Sequence, residues 1–305
     1  MRLYTTLSVI LFSVLFFSCK DSDDAPKKIG QWKRLNDFPG EGRTHALSFA
    51  VDGKAYMAMG LTATAFVSEV WEYDPEKDSW TQKKNFPFFV GYDGAALGLN
   101  GKGYMMAYPG NLDLYSYDPQ SDSWDRMPRL PDDAGDFITA FAIDGKGYFA
   151  TNAESAGTRN DLWMFDPATK AWTLKAAFPG EPIDQPASFS IGQKGYMGLG
   201  MLTGDTVPNS LYEYDPVSNT WTKKHDAPAS VAIEAISFSS SSAGYSAMFV
   251  PGQNQETPLY KYDPQTDQWN ADATLPSGNN LGATTFTIGS RIFVVGGKEV
   301  WEFIP

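Results

Sequence analysis

Side chains that could recognise a polar ligand occupy matched positions, a few residues after each of six regularly spaced prolines. They include a guanidinium, an imidazole, an amide and several carboxylates. Such groups can bind the hydroxyls of a sugar or a hydrated cation. The same residue types also suit the capping of strand ends or contact with water, so both interpretations stay open. The members of this ring are Arg43, His45, Tyr92, Asp93, Asp136, Asp184, Glu234 and Asn280.

The composition argues against several other kinds of chemistry. The chain of 305 residues has two histidines and one cysteine, which is too few for a zinc site of Cys and His ligands. Its net charge of −12 would repel a phosphate backbone, so we expect no nucleic-acid partner. No Gly-rich phosphate loop leads into a helical pattern, and no Gly-x-Ser-x-Gly motif occurs. We therefore assign no cofactor, no metal ligand and no catalytic residue.

A repeat of about 48 residues predicts the scaffold that must position the ring. Six tryptophans are separated by 48, 44, 48, 49 and 48 residues: Trp32, Trp80, Trp124, Trp172, Trp221 and Trp269. A proline follows each of them by seven residues: Pro39, Pro87, Pro131, Pro179, Pro228 and Pro276. An aromatic residue follows each proline by 17: Tyr56, Tyr104, Tyr148, Tyr196, Tyr245 and Phe293. Repeats of this length are typical of β-propeller blades.

Each repeat is predicted to form four short antiparallel strands, which we call a to d. Alternating apolar residues in 46–51 indicate strand a, and Asp52-Gly53 suits a two-residue turn into strand b. Tyr-Asp-Pro, as at 73–75, ends strand c in a turn that leads into the Trp of strand d. Strand a should be innermost, which would place the ring beside the central channel.

The two ends of the chain are predicted to close the propeller. The last repeat stops after Val300-Trp301-Glu302-Phe303, which matches strand c, and therefore lacks strand d. Residues 31–35 carry the first Trp and would supply the missing strand, which leaves no open sheet edge. The predicted fold class is all-β, a six-bladed β-propeller of four-stranded blades over residues 30–305.

Residues 1–18 have the layout of a signal peptide, with an apolar run from Leu7 to Phe17 that is too short to span a membrane. The ending Phe16-Phe17-Ser18-Cys19 resembles a bacterial lipobox, which implies acylation of Cys19 and a lipid anchor in the outer membrane. A plain signal peptide with a chance cysteine is the alternative. Residues 19–29 form a polar tether whose acidic run resembles a surface-export signal, so we expect exposure at the cell surface, with the periplasmic leaflet as the alternative.

The repeat resembles the kelch family, whose pattern joins Gly-Lys-x-Tyr, Gly-Gly, Tyr-Asp-Pro and Trp. Asp-Gly-Lys-Gly-Tyr at 144–148 and the double glycine Gly296-Gly297 match that pattern well. The double glycine is missing from the other repeats, as in Met57-Ala58-Met59-Gly60. The resemblance covers residues 30–305. It extends to kelch lipoproteins of Bacteroidetes that are named after the central domain of galactose oxidase. It implies a propeller but does not determine a function.

The resemblance also sets limits on activity. Galactose oxidase needs two histidines, two tyrosines and a Tyr–Cys cross-link around copper, whereas the histidines here are His45 and His225 and the cysteine is Cys19. Copper oxidase activity is therefore excluded. The six-bladed kelch proteins include N-acetylneuraminate epimerases, in which a cation would hold the sugar carboxylate and an acid–base group would act at the ring oxygen. In that hypothesis Arg43 would pair with Glu234 or Asp184.

Three functions remain open from the sequence. The leading hypothesis is a monomeric, non-catalytic surface protein that binds a glycan or a protein on its b–c loops, which vary in length between repeats. The alternatives are a sialic-acid epimerase and a structural part of an envelope complex. The recurrent Trp and Tyr residues are expected to pack between blades rather than stack on sugars. The better aromatic candidates are not repeated: Phe66, Phe88, Phe89, Tyr92, Tyr108 and Phe249.

Overall fold

The fold is known from a computed structural model, which describes residues 30–88, 93–108, 113–131, 137–153, 159–181, 183, 186–200, 209–228, 234–249, 257–276 and 282–305. All described regular elements are β-strands, arranged as six four-stranded antiparallel sheets. The predicted all-β propeller with six blades is therefore confirmed. No helix in the described part of the chain is long and apolar enough to cross a membrane.

Blades 1 to 3 follow the predicted a-to-d order. Their strands are β2 (Leu47–Val51), β3 (Lys54–Ala58), β4 (Val70–Asp74) and β5 (Ser79–Lys83); β6 (Asp93–Leu99), β7 (Lys102–Tyr108), β8 (Tyr115–Asp118) and β9 (Ser123–Arg126); and β10 (Phe137–Ile143), β11 (Lys146–Ala153), β12 (Arg159–Asp166) and β13 (Ala171–Leu174). In each blade neighbouring strands in sequence are also neighbours in the sheet.

Blades 4 and 5 repeat that order, and blade 6 is closed by the N-terminal strand. The strands are β14 (Ala187–Ile191), β15 (Lys194–Gly198), β16 (Leu211–Asp215) and β17 (Thr220–Lys223); β18 (Glu234–Ser239), β19 (Gly244–Phe249), β20 (Pro258–Asp263) and β21 (Gln268–Thr274); and β22 (Thr284–Ile288), β23 (Arg291–Gly296), β24 (Glu299–Ile304) and β1 (Gln31–Arg34). Trp32 of β1 pairs with Phe303 of β24, which confirms the predicted closure.

The repeated turns explain the repeated residues at one end of the propeller. Asp52 and Gly53 both have positive φ, at 51° and 78°, as a two-residue hairpin turn of this type requires. At the next turn the Asp74 carboxylate accepts a hydrogen bond from the Glu76 amide at 3.0 Å. Tyr73 at the end of strand c donates its hydroxyl to Asp78 at 2.9 Å. Related tyrosine bonds recur at Tyr117, Tyr214 and Tyr262. We call this end of the propeller the turn face.

The basic residue that begins strand b also has a repeated role on the turn face. It forms an ion pair with an acidic residue near the end of strand c, so the a–b turn and the c–d turn of a blade are held together. The pairs are Lys54–Glu72 at 2.7 Å, Lys102–Asp118 at 3.0 Å, Lys146–Asp166 at 3.3 Å, Lys194–Asp215 at 2.7 Å and Arg291–Glu302 at 2.6 Å.

Packing between blades accounts for the recurrent tryptophans. The indole N–H of Trp221 in blade 4 donates to the carbonyl of Ala176 after strand d of blade 3, at 2.9 Å. The indoles of Trp124, Trp172 and Trp269 donate in the same way to the preceding blade. The rings lie against neighbouring aromatic side chains, as Trp221 does against Phe178 at 5.3 Å. These residues join blades, which is the role expected for them.

The innermost strands form the wall of the central channel and are linked by hydroxyl groups. A Ser or Thr on strand a donates to a backbone carbonyl of the neighbouring strand a, as Ser48 does to Thr285 at 2.8 Å, Ser188 to Ala140 at 3.0 Å and Thr285 to Ser237 at 2.9 Å. At a second position on strand a, Ser190 donates to the Ala142 carbonyl at 2.7 Å, and blade 2 has Gly98 there, where a Cβ would lie 1.8 Å from the Ala50 carbonyl. The inner wall is therefore held by direct contacts between blades, and strand a is innermost as predicted.

Candidate functional site

The b–c loops and the d–a loops meet at the other end of the propeller, which we call the loop face. The Thr44 amide of a d–a loop donates to the carbonyl of Leu61 in a b–c loop at 2.9 Å. Phe86 and Ser68 make a similar contact at 2.8 Å. Both kinds of loop therefore lie on one face, as the strand order predicted, and Arg43 and His45 belong to it.

Arg43 lies inside this face rather than projecting from it. Its side chain is 1% exposed. The guanidinium donates to the Met59 carbonyl at 3.2 Å, to the Glu41 carbonyl at 3.2 Å and to the Glu69 carboxylate at 2.5 Å. It also lies 4.9 Å from the centre of the Phe38 ring, a cation–π distance. These contacts tie the d–a loop before blade 1 to the b–c loop within it.

Glu69 is the charge partner that completes this contact. Its carboxylate also accepts the indole N–H of Trp71 at 3.1 Å. The hydrogen bond from Arg43 is the main reason that the pKa of the Glu69 carboxyl lies below its usual value. The pair therefore stays ionised at neutral pH and neutralises itself, which leaves Glu69 poorly suited to donate a proton.

Carboxylates recur at the position of Glu69, two residues before the aromatic residue of strand c. Asp113 in blade 2 is 3% exposed and accepts a hydrogen bond from Arg126 at 2.6 Å. Asp161 in blade 3 is 8% exposed, and Glu299 in blade 6 accepts the indole N–H of Trp301 at 3.2 Å. This set was not predicted from the sequence, although its constant offset from the strand-c aromatic in these four blades was a signal that could have revealed it.

His45 sits between blades 1 and 6. Its amide donates to the Gly282 carbonyl at 2.7 Å, and its Nδ1 lies 3.0 Å from the Thr44 hydroxyl. Its φ of 54° places a non-glycine residue in the left-handed region, where His is tolerated better than bulky apolar residues. The local backbone and Gly282 therefore fix the imidazole at the start of strand a, where the ring was predicted.

Two apolar residues on the loop face adopt the same uncommon backbone conformation. Met59 and Leu199 directly follow strand b of blades 1 and 4, with φ of 64° and 52°. A left-handed Met or Leu is strained and persists only where the surroundings hold it. Around Met59 the restraint is visible, because its amide donates to the Glu69 carbonyl at 2.9 Å and its own carbonyl accepts from Arg43. Blade 1 thus holds the end of strand b in one shape.

The other predicted ring residues are only partly covered by the structure. Asp93 and Glu234 are the first residues of β6 and β18, so their backbones lie where the ring was expected. Nothing is described of their side chains. Tyr92, Asp136, Asp184 and Asn280 lie outside the described residues, as does the predicted lipidation site Cys19. Their roles stay predictions.

The aromatic candidates differ in how they are placed. Phe66 is 40% exposed and Phe88 is 46% exposed. Phe88 packs on Tyr115 with ring centres 4.2 Å apart, which leaves part of its surface to solvent. Phe249 is partly buried against the core of blades 5 and 6. Phe89 and Tyr92, and the side chain of Tyr108, lie outside the described residues. Of the candidate rings in the described residues, those of Phe66 and Phe88 are the most exposed.

The described residues contain no cluster of three or more His, Cys, Asp or Glu side chains suited to a metal ion. The blade 1 carboxylate is instead occupied by an arginine and an indole. The arrangement that the described side chains support is hydrogen bonding and aromatic contact on the loop face.

Comparison with known proteins supports the fold and finds one enzyme that is similar over a short segment. No family model matches the chain. The solved structure of YjhT superposes with a TM-score of 0.72 at 16% sequence identity, covering 87% of this chain and 95% of that chain. An N-acetylneuraminate epimerase of Yersinia enterocolitica is 31% identical over 64 residues, which are 19% of this chain and 16% of the epimerase. The chain thus has the propeller fold of YjhT and a short segment similar to the epimerase.

Proposed function

We propose that this chain is a lipid-anchored, non-catalytic protein of the outer membrane that presents its loop face to a glycan at the cell surface. The observation that carries the proposal is the difference between the two faces of the propeller. The turn face repeats one ion pair and one turn in nearly every blade. The loop face differs from blade to blade, and variable loops on a rigid scaffold are where binding sites usually form.

The side chains on the loop face suit a neutral, polar ligand with apolar faces. Phe66 and Phe88 offer exposed rings, and sugar rings have C–H faces that pack on aromatic surfaces. The predicted ring of polar residues would supply the hydrogen bonds to sugar hydroxyls. The net charge of −12 favours an uncharged glycan over a polyanion.

The pairing of Arg43 with Glu69 argues against catalysis in blade 1. An arginine that anchors a substrate carboxylate needs donors directed at the ligand, whereas this guanidinium is buried and directed at Glu41, Met59 and Glu69. A general acid needs a pKa near the working pH, whereas that of Glu69 is lowered. Neither member of the pair fits an acid–base role.

The second candidate is a sialic-acid epimerase, favoured by the segment similar to the Yersinia protein of that name. Exchange of the anomers requires a proton donor and acceptor near the ring oxygen and a cation for the carboxylate. Asp184 and Glu234 are the predicted carboxylates for this role. The chemistry would then lie in the predicted ring rather than in the Arg43–Glu69 pair.

The test is a glycan-binding screen of residues 30–305, which contain every described strand including the closing β1. Asp184→Asn and Glu234→Gln would be screened beside Asp144→Asn. The last is a matched control, because Asp144 is an exposed turn-face carboxylate with a φ of 49° that Asn also tolerates. Exchange spectroscopy by NMR on N-acetylneuraminate would measure anomer interconversion with the same proteins.

The outcomes separate the candidates. Saturable glycan binding that the two ring variants weaken and Asp144→Asn does not, without faster anomer exchange, supports the binding protein. Exchange that is accelerated by the wild type and lost in a ring variant replaces it with the epimerase. If no glycan binds and no exchange occurs, the glycan proposal is wrong, and the search moves to protein partners.

A further inference from the structure

The b–c loop of blade 2 ends at a buried carboxylate, Asp113, which is not a member of the predicted ring. Its side chain is 3% exposed. One oxygen, Oδ2, accepts a hydrogen bond from Arg126 at 2.6 Å and a longer one from the Tyr115 hydroxyl at 3.4 Å. The other oxygen, Oδ1, is buried and accepts no hydrogen bond from the described residues. A buried carboxylate oxygen without a donor is costly, so it calls for an explanation.

Comparison with blade 1 explains why this oxygen lacks a donor. Glu69 has the same position there, and it accepts from the guanidinium of Arg43 and from the indole N–H of Trp71. In blade 2 the residue that matches Trp71 is Tyr115. The residue that matches Arg43, four after the proline, is Gly91, which has no side-chain donor. Blade 2 has therefore exchanged both side-chain donors of blade 1, and the donors that it has reach one oxygen.

The aromatic packing beside the two carboxylates is the same. Phe38 packs edge-on against Trp71 with ring centres 5.3 Å apart, and Phe86 packs edge-on against Tyr115 at the same distance. The two blades thus share this contact and differ in the donors that they offer to the carboxylate. A donor from outside the chain would complete in blade 2 what an indole completes in blade 1.

Two exposed side chains of blade 2 stand near this carboxylate. Arg126 is the last residue of strand d, and its side chain is 62% exposed, so it can turn aside and admit a donor to Asp113. Phe88 is 46% exposed, and its ring centre lies 4.2 Å from that of Tyr115, whose hydroxyl contacts Asp113. An aromatic ring, a carboxylate and a guanidinium therefore lie together on the loop face of one blade.

The charge and shape of these groups define the ligand. The Arg126–Asp113 pair has no net charge, so it suits a neutral polar group better than a free anion or cation. Neighbouring hydroxyls of a sugar can donate to the carboxylate and accept from the guanidinium at the same time. The C–H face of a pyranose ring can pack on the exposed ring of Phe88. A sugar with its own carboxylate would place a second negative charge beside Asp113.

We propose that Phe88, Asp113 and Arg126 form a binding site for a neutral hexopyranose on the outer part of blade 2. The inference rests on the proposed glycan-binding function and adds the class of sugar and the place where it binds. One hydroxyl donates to Oδ1 of Asp113, its neighbour accepts from Arg126, and the C–H face packs on Phe88. The site is distinct from the predicted ring, because Arg126 belongs to the outermost strand of its blade and the ring lies at the innermost strand.

The experiment titrates residues 30–305 with three neutral glycosides and follows them by NMR. They are methyl β-D-glucopyranoside, methyl β-D-galactopyranoside and methyl α-D-mannopyranoside, and methyl β-D-glucopyranosiduronate is the charged comparison. Asp113→Asn removes the negative charge, and Phe88→Leu removes the ring but keeps an apolar side chain. Tyr115→Trp introduces the residue of blade 1, whose indole donates to the carboxylate there. Circular dichroism melting shows that each variant is folded.

Arg126→Met has a matched control in blade 6. Arg34 also ends strand d, and it faces Trp301 as Arg126 faces Tyr115. Its carboxylate partner is the exposed Asp37 instead of a buried residue of the b–c loop. Arg34→Met therefore removes an equivalent guanidinium without touching the proposed site.

We expect at least one neutral glycoside to bind saturably, with upfield shifts of its ring C–H protons from packing on Phe88, and the charged glycoside to bind about tenfold more weakly. Asp113→Asn and Arg126→Met should each weaken binding about tenfold, because charge-assisted hydrogen bonds are lost. Phe88→Leu should remove the upfield shifts. Tyr115→Trp should abolish binding without loss of stability, because the indole takes the place of the ligand hydroxyl. Arg34→Met should bind like the wild type.

Other results would overturn the proposal in distinct ways. Glycan binding that depends on Asp184 or Glu234 and is unchanged in Asp113→Asn and Tyr115→Trp removes this site and leaves the glycan-binding function standing. The same follows if another glycan binds but none of the three neutral glycosides does. Tighter binding of the charged glycoside contradicts the class of sugar. A Tyr115→Trp protein that is more stable and binds unchanged shows that Oδ1 of Asp113 meets only water. An absence of all glycan binding in a folded wild-type protein refutes the function and the site together.

Discussion

Arg43→Met keeps much of the length and apolar packing of the side chain but removes the guanidinium. The substitution would leave Glu69 and the carbonyls of Met59 and Glu41 without their present donor. Breaking a buried ion pair by removing one partner typically costs 3–5 kcal/mol. Because Glu69 is 34% exposed and water can reach it, we expect a value near the low end, about 3 kcal/mol.

The assay is thermal unfolding, followed by circular dichroism. At about 2 °C per kcal/mol for a chain of this size, Arg43→Met should lower the melting temperature by roughly 6 °C. The matched control is Arg34→Met, because the Arg34 side chain is 35% exposed and pairs with the exposed Asp37. Pairs of that kind contribute at most about 1 kcal/mol, so the control should lose roughly 2 °C or less.

A pH series tests the same pair. Because Arg43 lowers the pKa of the Glu69 carboxyl in the folded state, the pair contributes stability that is present at neutral pH. That contribution is lost as the pH falls below about 4.5, the usual pKa, through the lower folded-state pKa. Glu69→Gln should therefore flatten the loss of stability in this range. In the melting experiment, equal decreases in melting temperature for Arg43→Met and Arg34→Met, together with loss of ligand binding in Arg43→Met alone, would refute the structural role. Arg43 would then belong to the ligand site.

Three further predictions concern the scaffold. Tyr262→Phe should lower the free energy of unfolding in urea by about 1 kcal/mol, because it removes the 2.8 Å hydrogen bond to Asp267. Phe165→Tyr should not raise it, because the turn of that blade has Lys170 at the partner position. Equal effects of the two substitutions would contradict the role given to the tyrosine hydroxyl. Deleting β1 should expose the edge of β24, which lowers the melting temperature and promotes association measured by light scattering. A peptide of residues 29–36 should reverse both effects. A monomer of unchanged stability would argue against closure by β1. Burial raises the pKa of Tyr245 to about 12, so the stability of the fold should fall as the pH rises from about 10 toward 12. Tyrosine ionisation followed by absorbance at 295 nm should therefore extend above pH 10. Ionisation of all tyrosines near pH 10 in the folded protein would contradict this prediction.

Much of the scaffold was predictable because its signals are local. A two-residue turn with positive φ favours pairs such as Asp52-Gly53, and the alternation of β2 follows from having one face against each neighbouring blade. The repeat spacing predicted the blade number, and the truncated last repeat predicted closure by β1. These features depend on residues close together in the chain or on a fixed period.

The candidate site was predicted less completely, because its contacts join distant parts of the chain. Arg43 was predicted near the start of strand a and lies in the d–a loop before β2, but its partner Glu69 lies 26 residues away in a loop whose path the sequence does not encode in any period. Whether a guanidinium projects into a channel or lies 1% exposed against a carboxylate depends on how that loop packs. Residue type alone is compatible with both outcomes.

The sequence by itself determined the six blades, their strand order, the closure and the face on which the variable loops lie. It did so because turn chemistry, alternation and repeat length act over a few residues or recur at constant intervals. Only the tertiary structure decided which polar side chains form hydrogen bonds and ion pairs inside the protein. The buried Arg43–Glu69 pair is the example, because it depends on the distance between side chains from two separate loops.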